Sequence, residues 1–230
     1  MSLIRLLIGI LLLPVCMATS RIALAIAGAV HTESNAVIPP PALAIVGGYV
    51  LWLVVYFTLP RPVRTYVLAH ELTHALWGAL MGAKVSRLSV SKTRGSVMLS
   101  KTNFFITLAP YFFPLYTVLV VVAYYVASIV YDVSKYELWW LGLVGFTWGF
   151  HFTFTISSLT QKQTDIQAYG RLFSYTTIYI LNVLGIALWV VLVSSPTLKD
   201  FVEVSGYYVA HSWNFVCNST GELWGLIERQ

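Results

Sequence analysis

Long apolar runs separated by short polar breaks dominate the pattern of hydrophobic and polar positions along this chain. A helical run of about 20 apolar residues matches the hydrocarbon thickness of a bilayer. The pattern therefore predicts about six transmembrane helices. These spans are residues 4–30, 42–59, 63–81, 104–130, 138–159 and 175–193. We expect residues 31–41 to form a loop between the first two spans.

The first apolar run has two interpretations. Arg5, the apolar stretch after it and the small residues near Ala18 fit a secretory signal peptide that would be removed. We favour a retained span, because the apolar character resumes at Ile22 and continues to Val30. Pro14 is expected to kink this span.

Two later segments depart from a simple span. Pro110 and Pro114 predict an interruption near the start of the fourth span. The tail, residues 194–230, has a mixed pattern that suits a helix lying at the membrane interface. The apolar face of that helix would consist of Phe201, Val204, Tyr208 and Trp213.

Residues 83–101 follow a different period. They hold five basic residues and several serines, and Leu88, Val90, Val97 and Leu99 are interleaved among them. Alternation with a period of two residues is typical of a strand, and the segment Lys92-Thr93-Arg94-Gly95 suits a turn. The sequence thus predicts an all-α polytopic membrane protein with one short β-hairpin.

Composition supports a membrane protein and limits what else the chain can contain. Of the 230 residues, 58% are hydrophobic and 10% charged, whereas soluble domains carry about 25% charged residues. We therefore expect a single membrane domain over residues 1–230, with its chemistry in the bundle or the short loops.

The net charge is +5, and the basic residues lie mostly in loops, where they would fix orientation and contact anionic lipid. The chain has no dense basic tract of the kind that binds nucleic acid. Cys16 and Cys217 form neither a disulfide framework nor a C-x-x-C metal site.

The third predicted span contains His70-Glu71-Leu72-Thr73-His74, which reads H-E-x-x-H. Residues four apart share one face of a helix, so both imidazoles can bind one zinc ion. Glu71 would activate a zinc-bound water as general base and then pass the proton to the leaving amine. Ionisable residues inside a span are costly, so three of them in five positions favour a functional site over a chance match.

A hydrolytic zinc site needs a third protein ligand. Asp165 is the best candidate, because it lies in a polar stretch between the fifth and sixth spans where the chain can fold into the bundle. His151 in the fifth span is the alternative. It precedes Asp165 by 14 residues, about 21 Å along a straight helix, so both cannot easily bind one metal.

At these residues the chain resembles the site-2 protease family of intramembrane zinc metalloproteases. The resemblance rests on the H-E-x-x-H helix, on Gly82-Ala83-Lys84-Val85 leading into a hairpin and on the later Asp165, and it covers roughly residues 63–170. It implies one zinc ion per chain and a membrane-protein substrate that is cut within or next to its transmembrane segment. The chain has no room for a PDZ domain, so it would be a minimal member.

The same resemblance implies roles for the hairpin and the aspartate. In that family the hairpin holds the substrate as an added strand, which unwinds a helical substrate and exposes its peptide bond. The family's third ligand is an aspartate at the start of a later membrane segment. Asp165 lacks the Leu before it and the Gly after it that are usual in the family.

Two other functions remain open from the sequence. Some zinc transporters also place H-E-x-x-H on a span, although they carry further His, Asn and Asp ligands on a second span. A catalytically inactive relative could instead act as a membrane scaffold.

Overall fold

The structure is a computed structural model that describes residues 3–30, 39–91 and 94–227. The chain is 78% helical, and a small two-stranded antiparallel sheet accompanies the helices. The predicted helical class with one hairpin is therefore confirmed. Most of the predicted loop 31–41 and two residues of the predicted hairpin turn, Lys92 and Thr93, lie outside the described residues.

The helices and strands follow the predicted order along the chain. Before the hairpin come α1 (Leu3–Leu11), α2 (Leu13–Gly28), α3 (Pro40–Thr58) and α4 (Val63–Leu80). The hairpin consists of β1 (Val85–Val90) and β2 (Gly95–Leu99). After it come α5 (Phe104–Phe112), α6 (Leu115–Ser128), α7 (Glu137–Leu159), α8 (Thr164–Tyr169), α9 (Arg171–Val193) and α10 (Leu198–Ile227).

Three stretches in the described part of the chain are long and apolar enough to cross a membrane: Leu3–Gly28, Pro40–Thr58 and Arg171–Leu192. The pair α5 and α6 is a fourth if the two helices count as one span. Helices α4 and α7 are not in this set, although both were predicted as spans. In α4 the charged and imidazole side chains of the H-E-x-x-H motif lower the apolarity.

Helices α5 and α6 meet at a bend of 75°. The last turn of α5 closes with the Phe113 amide donating to the Ala109 carbonyl, and Pro114 follows as the N-cap of α6. A proline at this position cannot donate the next helical hydrogen bond and its ring clashes with the preceding turn. The break therefore lies at Pro114, as predicted, whereas Pro110 lies inside α5 and does not end that helix.

The chain forms two compact units, one of residues 34–165 and one of residues 1–33 with 166–230. In the first unit, α3 and α7 pack closely because glycines face each other. A side chain at Gly48 would overlap the Gly142 carbonyl, and one at Gly145 would overlap the Ile45 carbonyl. Small residues let helix backbones approach closely in this way.

In the second unit, α2, α9 and α10 share an apolar core. Ile22, Ile26 and Val191 are buried at its centre. Three of the four residues predicted to lie at the membrane interface pack against this cluster: Phe201, Val204 and Tyr208. The fourth, Trp213, is 59% exposed.

The hairpin lies along α4. Its strands pair Leu88 with Val97 and Val90 with Gly95. Strand β2 contacts α4 at two places: Leu99 packs on Gly78, and Gly95 packs on Glu71. One end of the hairpin is thus held against the H-E-x-x-H motif.

Candidate metal centre

Helix α4 brings the two predicted histidine ligands together. His70 and His74 are one turn apart on one face, and their Nε2 atoms are 3.2 Å apart. Neither Nε2 can accept a hydrogen bond from the other unless one of them carries a proton. Two nitrogen lone pairs at this spacing therefore call for a proton or a cation between them.

Asp165 completes the group from the first turn of α8. Its Oδ2 lies 3.3 Å from His70 Nε2 and 3.6 Å from His74 Nε2. All three residues belong to the unit of residues 34–165. The structure thus brings together the three residues that the sequence indicated as ligands, and this group could hold a metal ion.

The spacing of the three atoms suits a small metal ion. Ligand atoms bound tetrahedrally at about 2.0–2.1 Å from zinc lie about 3.3–3.4 Å from each other. The three separations here are 3.2, 3.3 and 3.6 Å. Small shifts would therefore place one ion within bonding distance of both imidazoles and the carboxylate.

Hydrogen bonds outside the group orient both imidazoles. His74 Nδ1 donates to the Ile106 carbonyl at 2.8 Å, which leaves Nε2 with its lone pair towards the group. His70 Nδ1 lies 3.4 Å from the Tyr66 hydroxyl, which is itself hydrogen-bonded to Ser158 at 2.7 Å. Each ring is thus held from the side opposite the candidate metal position.

Asp165 also has a partner outside the group. The Tyr111 hydroxyl donates to Oδ2 at 3.1 Å. Burial tends to raise the pKa of the Asp165 carboxyl, but its hydrogen bonds with His70 and His74 outweigh this and hold the pKa well below its usual range. Asp165 is therefore ionised at neutral pH, as a metal ligand must be.

Glu71, the predicted general base, is buried next to this group, with 8% of its surface exposed. Gly95 of the hairpin covers it. A Cβ at position 95 would lie 2.6 Å from Glu71 Oε1 and 2.8 Å from its Cδ. A larger residue here would therefore require the Glu71 side chain or the hairpin to move.

His151, the alternative ligand, lies on α7 outside the group of His70, His74 and Asp165. It is 8% exposed, and its Nε2 has no hydrogen-bond partner among the described residues. His151 and His70 both line a cavity of about 20 Å³ beside the group. That volume has room for one water molecule.

Sequence reasoning missed Tyr66, Ile106, Tyr111 and Ser158, which support the ligands. Tyr66 could have been found, because it precedes His70 by four residues and therefore shares its helix face. Ile106 acts through its main-chain carbonyl, which carries no sequence signal. Tyr111 reaches Asp165 across 54 positions of the chain, and only the tertiary fold reveals that contact.

Comparisons with known proteins give no match. No protein-family model fits the chain, and neither a curated protein nor a solved structure matches it.

Proposed function

We propose that this chain is a multi-pass membrane protein with about six spans and that it acts as a zinc metalloendopeptidase. It would hydrolyse peptide bonds within or next to a transmembrane segment of another membrane protein. The observation that carries the proposal is the group of His70, His74 and Asp165 with Glu71 beside it, in a chain with several helices apolar enough to span a bilayer. Metal hydrolysis needs both the ligand group and a base.

The ligand set favours zinc. Two imidazoles and one carboxylate are one of the ligand sets found in catalytic zinc sites, where a water takes the fourth position. His70, His74 and Asp165 would hold the ion. A bound zinc ion would polarise its water and lower the pKa of that water to about 7, so that a nearby base could take up the proton.

Glu71 would move the protons. Its carboxylate accepts a proton from the attacking water as the oxygen adds to the carbonyl carbon of the substrate. It then gives this proton to the amide nitrogen as the carbon–nitrogen bond breaks. The products are a carboxylic acid and an amine, so one water is consumed for each bond cut.

The hairpin would present the substrate. Among the described residues the sheet has two strands, so each strand keeps one edge without a partner. An extended peptide can pair with such an edge through its main chain. The contact of Gly95 with Glu71 would bring a peptide paired to the hairpin close to the reactive groups.

Helices α4 and α7 would complete the six spans despite their lower apolarity. Polar groups within spans are tolerated where they pair with one another inside the bundle. The Tyr66 hydroxyl is hydrogen-bonded to Ser158, which pairs polar groups of α4 and α7. The Trp52 indole donates to Thr153, which pairs polar groups of α3 and α7.

The test compares the new protein N-termini that appear in membranes of cells expressing wild type or Glu71→Gln. The comparison itself identifies the substrate, because each new N-terminus marks a cut protein. We expect wild type to create N-termini within or beside transmembrane segments, and Glu71→Gln to create none of them while keeping its metal. Glu203→Gln, which changes an exposed glutamate on α10, is the matched control and should behave as wild type. Identical sets of N-termini for wild type and Glu71→Gln would refute the proposal.

A further inference from the structure

Tyr111 lies behind the candidate metal ligands and is completely buried. Its hydroxyl donates to Asp165 Oδ2 at 3.1 Å. The same oxygen is the one that faces both imidazoles, at 3.3 Å from His70 and 3.6 Å from His74. The Tyr111 ring also packs edge-on against the His70 ring, with centroids 5.3 Å apart.

Asp165 needs such an anchor more than the two histidines do. Both histidines lie in the interior of α4, an 18-residue helix. Asp165 lies in the first turn of α8, a helix of six residues. A helix this short is only marginally stable by itself, so the position of the carboxylate depends on contacts with other elements. A side-chain hydrogen bond from a buried residue can supply the missing constraint.

We propose that Tyr111 is a positioning residue that keeps Oδ2 of Asp165 directed towards the metal. This inference rests on the proposed metal site. A carboxylate oxygen has lone pairs for two partners, so Oδ2 can accept from Tyr111 and bind a metal at the same time. Partners of this kind fix the orientation of metal-binding carboxylates.

Helix α5 would therefore anchor two of the three ligands. Through Tyr111 it orients Asp165, and through the Ile106 carbonyl it orients His74. The start of α5 is itself fixed, because the Asn103 side chain accepts from the Ile106 amide at 3.0 Å. Hydrogen bonds from this one helix thus support two of the three ligands.

The experiment measures zinc affinity by competition with a chromophoric chelator, using purified full-length protein in detergent. Tyr111→Phe keeps the ring and removes the hydroxyl. We expect zinc affinity to fall about 10- to 100-fold, the usual effect of losing a hydrogen bond to a ligand. Tyr116→Phe is the matched control, because the Tyr116 hydroxyl donates to the Thr65 carbonyl at 2.9 Å and not to a candidate ligand. Its zinc affinity should stay at the wild-type value.

Two further variants separate positioning from packing. At position 111, 4-aminophenylalanine keeps a donor at the para position and should restore affinity. At the same position 4-methylphenylalanine fills the volume without a donor, and should bind zinc as weakly as Tyr111→Phe. If Tyr111→Phe leaves a cavity and does not fold, the 4-methylphenylalanine variant takes its place as the variant without a donor.

The outcomes are distinct. If wild type binds zinc and the two non-donor variants bind it equally well, the role of Tyr111 is refuted and the proposed function stands. If wild type binds no zinc, the proposed function itself fails. The visible absorption of the cobalt-substituted protein gives a second readout, and we expect Tyr111→Phe to change it and Tyr116→Phe to leave it as it is.

Discussion

Replacing Gly95 by alanine tests whether the hairpin holds the general base in place. Gly95 does not have a positive φ, so alanine fits its backbone conformation and only the added methyl group matters. That methyl carbon would overlap Glu71 Cγ most closely and would lie 2.8 Å from Cδ of the same side chain. Non-bonded carbon atoms prefer about 3.5–4.0 Å, so the contact with Cδ alone is too short by about 0.7–1.2 Å, and the contact with Cγ is shorter still.

The strain can be relieved in two ways, and both have measurable consequences. Either β2 moves away from α4, or the Glu71 carboxylate moves away from the metal ligands. Overpacking of this kind costs about 1–3 kcal/mol. Because a displacement of about 1 Å at a catalytic group lowers the rate about 100-fold, we expect a loss of that order while the metal stays bound.

The assay is the rate of cleavage of a single-span reporter that carries a site found by the N-terminus comparison. Gly47→Ala is the matched control, since a Cβ at Gly47 meets nothing within 4 Å. A double-mutant cycle adds a measurement of thermal stability. In the Glu71→Ala background the clash is absent, so Gly95→Ala should destabilise that protein much less than it destabilises wild type. If Gly95→Ala cleaves the reporter as fast as Gly47→Ala, the hairpin does not position Glu71.

Two other predictions concern the ligands. Asp165→Ala should lose bound zinc. The control variant Asp132→Ala, which removes an exposed carboxylate that is hydrogen-bonded to Ser134, should keep it. Equal zinc content in the two variants would show that Asp165 is not a ligand. Zinc affinity should fall as the pH is lowered from about 8 to about 6, because an imidazole binds a metal ion only in its neutral form. Asp165 should not contribute to that fall, since its depressed pKa keeps it ionised over this range. A chelator titration at each pH measures the zinc affinity. An affinity that does not change with pH would contradict this prediction.

Local patterns were enough to predict the parts of the site that depend on neighbouring residues. The spacing of His70 and His74 follows from the period of a helix. The alternation after Gly82 follows from the period of a strand, and the break near Pro114 follows from the missing amide of proline. Each of these features is determined within one or two turns of chain.

Features that depend on tertiary contacts were not accessible in the same way. The Tyr111 hydroxyl and the Ile106 carbonyl support the site because α5 packs beside α4, and no local pattern records that packing. The fit of Gly95 against Glu71 is equally long-range. Asp165 is an intermediate case. The polar sequence around it indicated a possible ligand, but only the tertiary fold shows that its carboxylate lies beside the two histidines.

The central claim is that Glu71 and a bound zinc ion hydrolyse a transmembrane substrate. It is tested most directly with purified protein and the single-span reporter reconstituted together in zinc-containing proteoliposomes. Wild type should cleave the reporter, and Glu71→Gln should bind one zinc ion per chain without cleaving it. Equal cleavage by the two proteins, or undiminished cleavage after zinc is removed, would contradict the account.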